Sequence, residues 1–213
     1  MAISTYAELQ TAVANWLDRD DLTDRITEFI SLAEAKMNRN LRISLMENVS
    51  TAITMAGGTR DYALPTGYSG MIEIHLTTDP ITPLSYLSPE MMNRVWAGST
   101  RGRPKAYTIF SDAGVRKIKV GPSPDDAYTT SILFYKKIDS LSVSNPTETM
   151  LTENPDIYLY GALLEAEPFL MNDARLQTWA ALLQSTADDL QKRDTFDRHS
   201  GSELRVMNTS GYP

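Results

Sequence analysis

Apolar positions recur at helical spacing at both ends of the chain and at strand spacing in between. Near the N-terminus Tyr6, Leu9, Val13, Trp16 and Leu17 fall three or four residues apart, and Thr5 with Glu8 makes a capping box, so a first helix is predicted to end near Leu17. The stretch DRDD at 18–21 offers Asp21 as the next N-cap. Leu22, Ile26, Phe29, Ile30, Ala33, Met37 and Leu41 then trace one stripe, which predicts a second helix of about twenty residues.

From Val49 the period falls to near two, with Gly and Pro punctuation. Residues 49–55 and 60–64 flank Gly57-Gly58, a pattern that predicts a hairpin because both central positions tolerate positive φ. Further strands are predicted at 70–77, 81–87, 105–111, 115–120 and 128–138. A short helix at 89–97 interrupts them, capped by Ser88 with Pro89 at its first position.

Helical spacing returns after the polar link at 144–153. Asn154, Pro155 and Asp156 start a helix whose residues 157–170 are apolar on nearly every face, so it must be buried on most sides. Pro168 is expected to kink or end it. Asn172 or Asp173 caps a last helix with the stripe Leu176, Trp179, Ala180, Leu183, Ala187 and Leu190, and after Arg193 the periodicity is lost. The predicted class is therefore α+β. Residues 1–47 and 154–193 form one helical bundle domain, 48–153 an inserted antiparallel β-rich domain, and 194–213 an extended C-terminal arm that cannot build a core alone.

Composition removes several kinds of chemistry from this picture. There is no cysteine among the 213 residues, which excludes disulfides, thiolate nucleophiles and the usual zinc sites, and His75 and His199 are the only histidines. No run approaches the ~18 apolar residues of a membrane helix, and Met1 leads straight into a helix start rather than a secretory leader, so no membrane association is expected. The net charge is −7, distributed as −3 over 1–47, +1 over 48–150 and −5 over 151–213. Acidity at both ends leaves no basic face of the kind that grips nucleic acid.

The remaining chemical candidates are weak. DRDD with Asp24 supplies carboxylates but lacks the glycine and terminal glutamate of a calcium loop, so capping is the better reading. Arg101, Arg103 and Lys105, with Arg116, Lys117 and Lys119 a strand away, form one basic cluster among Tyr107 and Phe110; a solvated strand face outweighs a nucleic-acid groove. His75 reads as an ordinary strand residue, His199 as an interface contact. No catalytic, cofactor-binding or metal-ligating residue is assigned, and no enzymatic activity is expected. Residues 194–213 are better explained as an interaction arm, because spaced apolar anchors in a polar segment suit folding upon a partner.

The segments TYAELQTAVANWLDRDDLTDRITEFISLAEAKMNRNLR at 5–42 and NPDIYLYGALLEAEPFLMNDARLQTW at 154–179 resemble tailed-bacteriophage head-to-tail adaptors, the connector proteins beneath the portal. DYALPTGYSGMIEI at 61–74, GRPKAY at 102–107 and KVGPSP at 119–124 resemble the punctuation of the same family's β insert. The resemblance implies a structural virion protein of the neck, assembled in the host cytoplasm. It implies a ring of copies, typically dodecameric, through which genomic DNA passes without specific binding. It further implies that the C-terminal arm docks on the portal protein, with Phe196, His199, Leu204, Val206, Met207 and Tyr212 as candidates. The insert would face tail, nozzle or fibre proteins, with Arg101, Arg103 and Lys105 as candidates. The competing expectation is a tail or baseplate protein whose β domain binds fibres or carbohydrate, using Trp96 and Tyr107 as stacking surfaces.

Overall fold

The structure is a computed structural model, and it describes residues 3–98, 100–171 and 173–199. The class is α+β, and the chain divides into a helical unit, 1–45 with 138–213, and a β unit, 46–137. In the helical unit α1 is Tyr6–Leu17, α2 Thr23–Asn40, α4 Thr149–Glu153, α5 Pro155–Leu170 and α6 Asp173–His199. The β unit carries β1 (Glu47–Ser50), β2 (Thr54–Met55), β3 (Asp61–Ala63), β4 (Tyr68–Leu76), β5 (Thr82–Pro83) and β6 (Ser85–Tyr86). After α3 (Pro89–Val95) come β7 (Ala106–Asp112), β8 (Val115–Gly121) and β9 (Tyr128–Lys136).

Local chemistry sets the starts of α1 and α3. Thr5 Oγ1 accepts the Glu8 N–H while Glu8 Oε2 accepts the Thr5 and Ser4 N–H groups, and these bonds hold the Glu8 carboxyl down at about 2. Ser88 caps α3 with Pro89 in its first turn. The predicted Asp21 cap is not used: Asp21 forks with Arg19, both N–O distances being 2.6 Å, and α2 follows Leu22 without a side-chain cap. A bidentate charge-assisted pair outcompetes a single cap bond.

The helical unit is built around α5. Its residues Ile157, Tyr158, Leu159, Ala162, Leu163 and Ala166 are all buried, as their sequence required. Gly161 lets α2 come close, since a Cβ at that position would lie 3.0 Å from Ala33 Cβ. Pro168 is accommodated within the last turn, and the helix ends two residues later, where Met171 turns left-handed with φ of 53°. On the far side Trp179 of α6 stacks on Tyr160 and meets Trp16 of α1, with centroid distances of 6.3 and 5.6 Å.

Two sheets share one core in the β unit. One has the order β1-β9-β4-β5, with β2 also pairing β9; the other has the order β3-β8-β7-β6. Ile74, Leu76, Ile132 and Phe134 from the first meet Tyr107, Ile118 and Val120 from the second. Pairing is antiparallel except between β6 and β7. The Gly57-Gly58 hairpin does not form. β2 pairs β9 and β3 pairs β8, so the glycines pass the chain from one sheet to the other, with Gly58 at φ 85° donating to Pro124 O. Against the second sheet α3 packs through Gly121, where a Cβ would fall 2.5 Å from Trp96 Cδ1 and 2.8 Å from Met92 Sδ.

The link after β9 belongs with the helices, although the sequence reading set it in the insert. Ile138 is bracketed by Asn38, whose Oδ1 accepts its N–H at 2.7 Å, and Leu141 donates to Glu34 at 2.9 Å. Tyr6 N–H reaches Pro146 O at 2.7 Å. Each glycine contact gives a stability prediction. Gly161→Val in the helical unit and Gly121→Ala in the β unit should each cost about 1–3 kcal/mol by overpacking, read as a lower thermal midpoint; wild-type midpoints in both would contradict the assigned contacts.

Candidate assembly surfaces

The last helix is the most exposed long element of the helical unit. α6 runs 27 residues, about 40 Å at the helical rise. Its stripe of Leu176, Trp179, Ala180, Leu183, Ala187 and Leu190 is only half-buried. The stripe is fixed at one end where Trp179 Nε1 donates to the buried Glu167 Oε1 at 2.7 Å. Further along, α6 stands off α2 and α5 across a groove of about 280 Å³ lined by Ala33, Met37, Gly161, Leu183 and Ala187.

Helix α6 also extends past Arg193, where the sequence pattern suggested an arm. Ion pairs one turn apart, Arg193–Asp197 at 3.7 Å and Arg198–Asp194 at 3.0 Å, sustain it without an apolar stripe. Of the arm candidates, Phe196 and His199 therefore lie on helix rather than on extended chain, and Phe196 is 71% exposed. Leu204, Val206, Met207 and Tyr212 lie outside the described residues. Sequence periodicity gave no sign that Phe169 and Met171 at the α5 end, and Leu32 of α2, are exposed. Arg25 lies over the Phe169 ring at 5.9 Å.

The basic residues of the β unit do not act as one cluster. Arg103 is a loop clamp: its Nη2 donates to Thr78 O at 2.7 Å and also to Pro80 O, its Nη1 donates to Asp79 O at 3.2 Å, and it lies over the Tyr128 ring. Lys117 pairs with Asp112 at 2.6 Å, Lys119 with Asp61 at 3.8 Å, and Arg116 sits over Tyr68. Arg101 and Lys105 remain on the surface. His75 on β4 lies 3.4 Å from Glu73 Oε1. The proposed glycan-stacking rings are not presented: Tyr107 is 8% exposed in the core, and Trp96 packs against Gly121. Tyr86, edge-on to Tyr107, is the exposed ring instead.

A family model described as SU10 adaptor protein matches residues 4–207. The chain belongs to the SU10 adaptor protein family. That membership agrees with the resemblance to phage head-to-tail adaptors and makes this SU10 adaptor a structural component of the virion. No curated protein matches it. Among the described residues, no helix is long and apolar enough to cross a membrane.

One buried acid of the adaptor fold sequence reasoning missed. Glu34, 2% exposed on α2, holds the link through the Leu141 N–H and Ser140 hydroxyl. Burial pushes its carboxyl above the ordinary 4.5, those hydrogen bonds oppose the shift, and Glu148 adds to it. A raised folded value means that this group's stability contribution is full below 4.5 and is lost as pH rises through the folded value. Glu34→Gln keeps an acceptor for Leu141 without the charge. Its thermal midpoint should exceed wild type at pH 7 and converge with it below 4.5; a variant uniformly less stable at both would refute this account.

Proposed function

We propose that this SU10 adaptor forms a ring beneath the portal, extends the DNA channel, and gives tail components their attachment platform. The family match over residues 4–207 carries this reading. The proposed partners are other copies of the chain, the portal protein through the C-terminal segment, and tail, nozzle or fibre proteins through the β unit. Arg101 and Lys105 are the β-unit candidates that keep exposed charge.

Physical features of the chain support this assignment of roles. A twelve-membered ring at −7 per copy would carry about −84 before screening, so phosphate would be repelled rather than bound and DNA would slide. The −5 of residues 151–213 places much of that charge on and around α5 and α6. Ring closure calls for heterologous contacts between copies, for which the half-covered face of α6 and the exposed Phe169, Met171 and Leu32 are candidates. The arm would add affinity by ordering on the portal, at a cost of ~2–5 kcal/mol in ordering.

The truncation test separates arm from scaffold. Deleting 200–213 leaves the sequences of α1 to α6 intact, and the circular dichroism spectrum and thermal midpoint are expected to stay near wild type. Binding to the cognate portal should fall at least tenfold in a pull-down titration. Equal affinity of truncated and full-length chains would remove the arm from the account.

A further inference from the structure

The C-terminal end of α6 is tied to a segment far away in the chain. Asp194 Oδ1 accepts the Ser44 N–H at 2.7 Å across 150 residues of sequence. Ser44 opens a single 3-10 turn, Ser44–Met46, which runs directly into β1. The first N–H groups of a helical turn have no partner within it, and here the acceptor comes from α6 rather than from a local cap. The Asp194 side chain is 12% exposed, and Arg198 Nε holds it from one turn further on, at 3.0 Å. Burial pushes the Asp194 carboxyl up, but the Ser44 hydroxyl and N–H together with Arg198 outweigh it and hold the group below the ordinary range.

Beside this polar tie the contact with α6 is left open, although Ile43 and Met46 on either side of it are buried. A cleft of about 130 Å³ lies between the lead-in segment and α6, lined by Ile43, Leu45, Asn154, Leu190, Arg193 and Asp197. The turn is therefore positioned against α6 by a few directed bonds, and those bonds depend on the last helical turns being wound. Nothing else in those turns is buried: Phe196 is 71% exposed, and Thr195 Oγ1 only donates back to Gln191 O. Unwinding from the C-terminal side would take Arg198 away first and Asp194 next.

We propose that the last two turns of α6 are a latch on the lead-in to the β unit. Asp194 sets the conformation of Ser44–Met46, and a partner that grips or bends the chain beyond Asp194 changes that conformation. Portal engagement at the C-terminus would then be sensed where the β unit begins. The partner's identity rests on the portal-docking reading; the latch rests on the geometry alone.

Amide hydrogen exchange measured by NMR on the free full-length protein tests the latch without any portal, so its outcome is independent of the truncation result. Asp194→Ala should raise exchange at Ser44 about tenfold, the effect of losing one such bond. Asp194→Asn, which keeps an acceptor oxygen, should retain part of the protection and guards against a merely unfolded alanine variant. Phe196→Pro touches neither Ser44 nor Asp194 but breaks the final turns, and should raise exchange at the same amide. Glu153→Gln, which lines the cleft from α4 without bonding Ser44 or the last turns of α6, should leave it unchanged. Wild-type exchange at Ser44 in Asp194→Ala overturns the latch, as does an equal rise in Glu153→Gln. A rise in Asp194→Ala with none in Phe196→Pro reduces the bond to a static cap and overturns the transmission.

Discussion

The close approach of α2 and α5 at Ala33 and Gly161 is the constraint on which the helical unit depends. It joins segments separated in sequence by the whole β unit, so the unit exists only if the chain leaves after α2 and returns before α5. The entropy of closing so long a loop grows slowly with its length, and directed bonds fix where the return strikes. Asn38, Glu34 and the Tyr6 N–H each hold one point of the link between Ile138 and Pro146. Glu34 does this at the cost of a buried charge, an arrangement that favours a defined position over maximal stability at neutral pH.

With α5 enclosed by its neighbours, α6 is left with one covered face and a long exposed one. Its N-terminal half is secured by the Trp16, Tyr160 and Trp179 rings and by Glu167; its C-terminal half is held by ion pairs and by Ser44. A helix anchored at one end and polar at the other suits a subunit whose C-terminus engages a neighbour after the body has folded. The β unit differs in how it uses charge. Arg103, Lys117 and Lys119 are each engaged within the unit by carbonyls or carboxylates, which leaves its net charge without an organised basic face. Both features fit the proposed role, in which the adaptor holds proteins together while DNA passes.

Where structure follows from neighbouring residues, the sequence was enough. The Thr5–Glu8 box, the Ser88–Pro89 start and the near-all-apolar α5 depend on spacings of three or four residues and appear as expected. The strands of the β unit were visible as a period of two, but that period does not name a partner, so β2 and β3 were wrongly paired across Gly57-Gly58 when each belongs to a different sheet. Asp21 was misassigned because a cap and an ion pair draw on the same carboxylate. The end of α6 was misplaced because charge pairs leave no hydrophobic signature. Gly161, Glu34 and the Asp194–Ser44 bond could not be found from spacing, since their partners lie more than 100 residues away.

Electron microscopy of the full-length chain mixed with its cognate portal protein addresses the adaptor assignment most directly. The account predicts a closed ring of this chain on one face of the portal, with density for the C-terminal segment lying on portal subunits and the β units directed away from them. Portal particles without a ring, or a ring attached through its β units with the C-termini facing elsewhere, would contradict it.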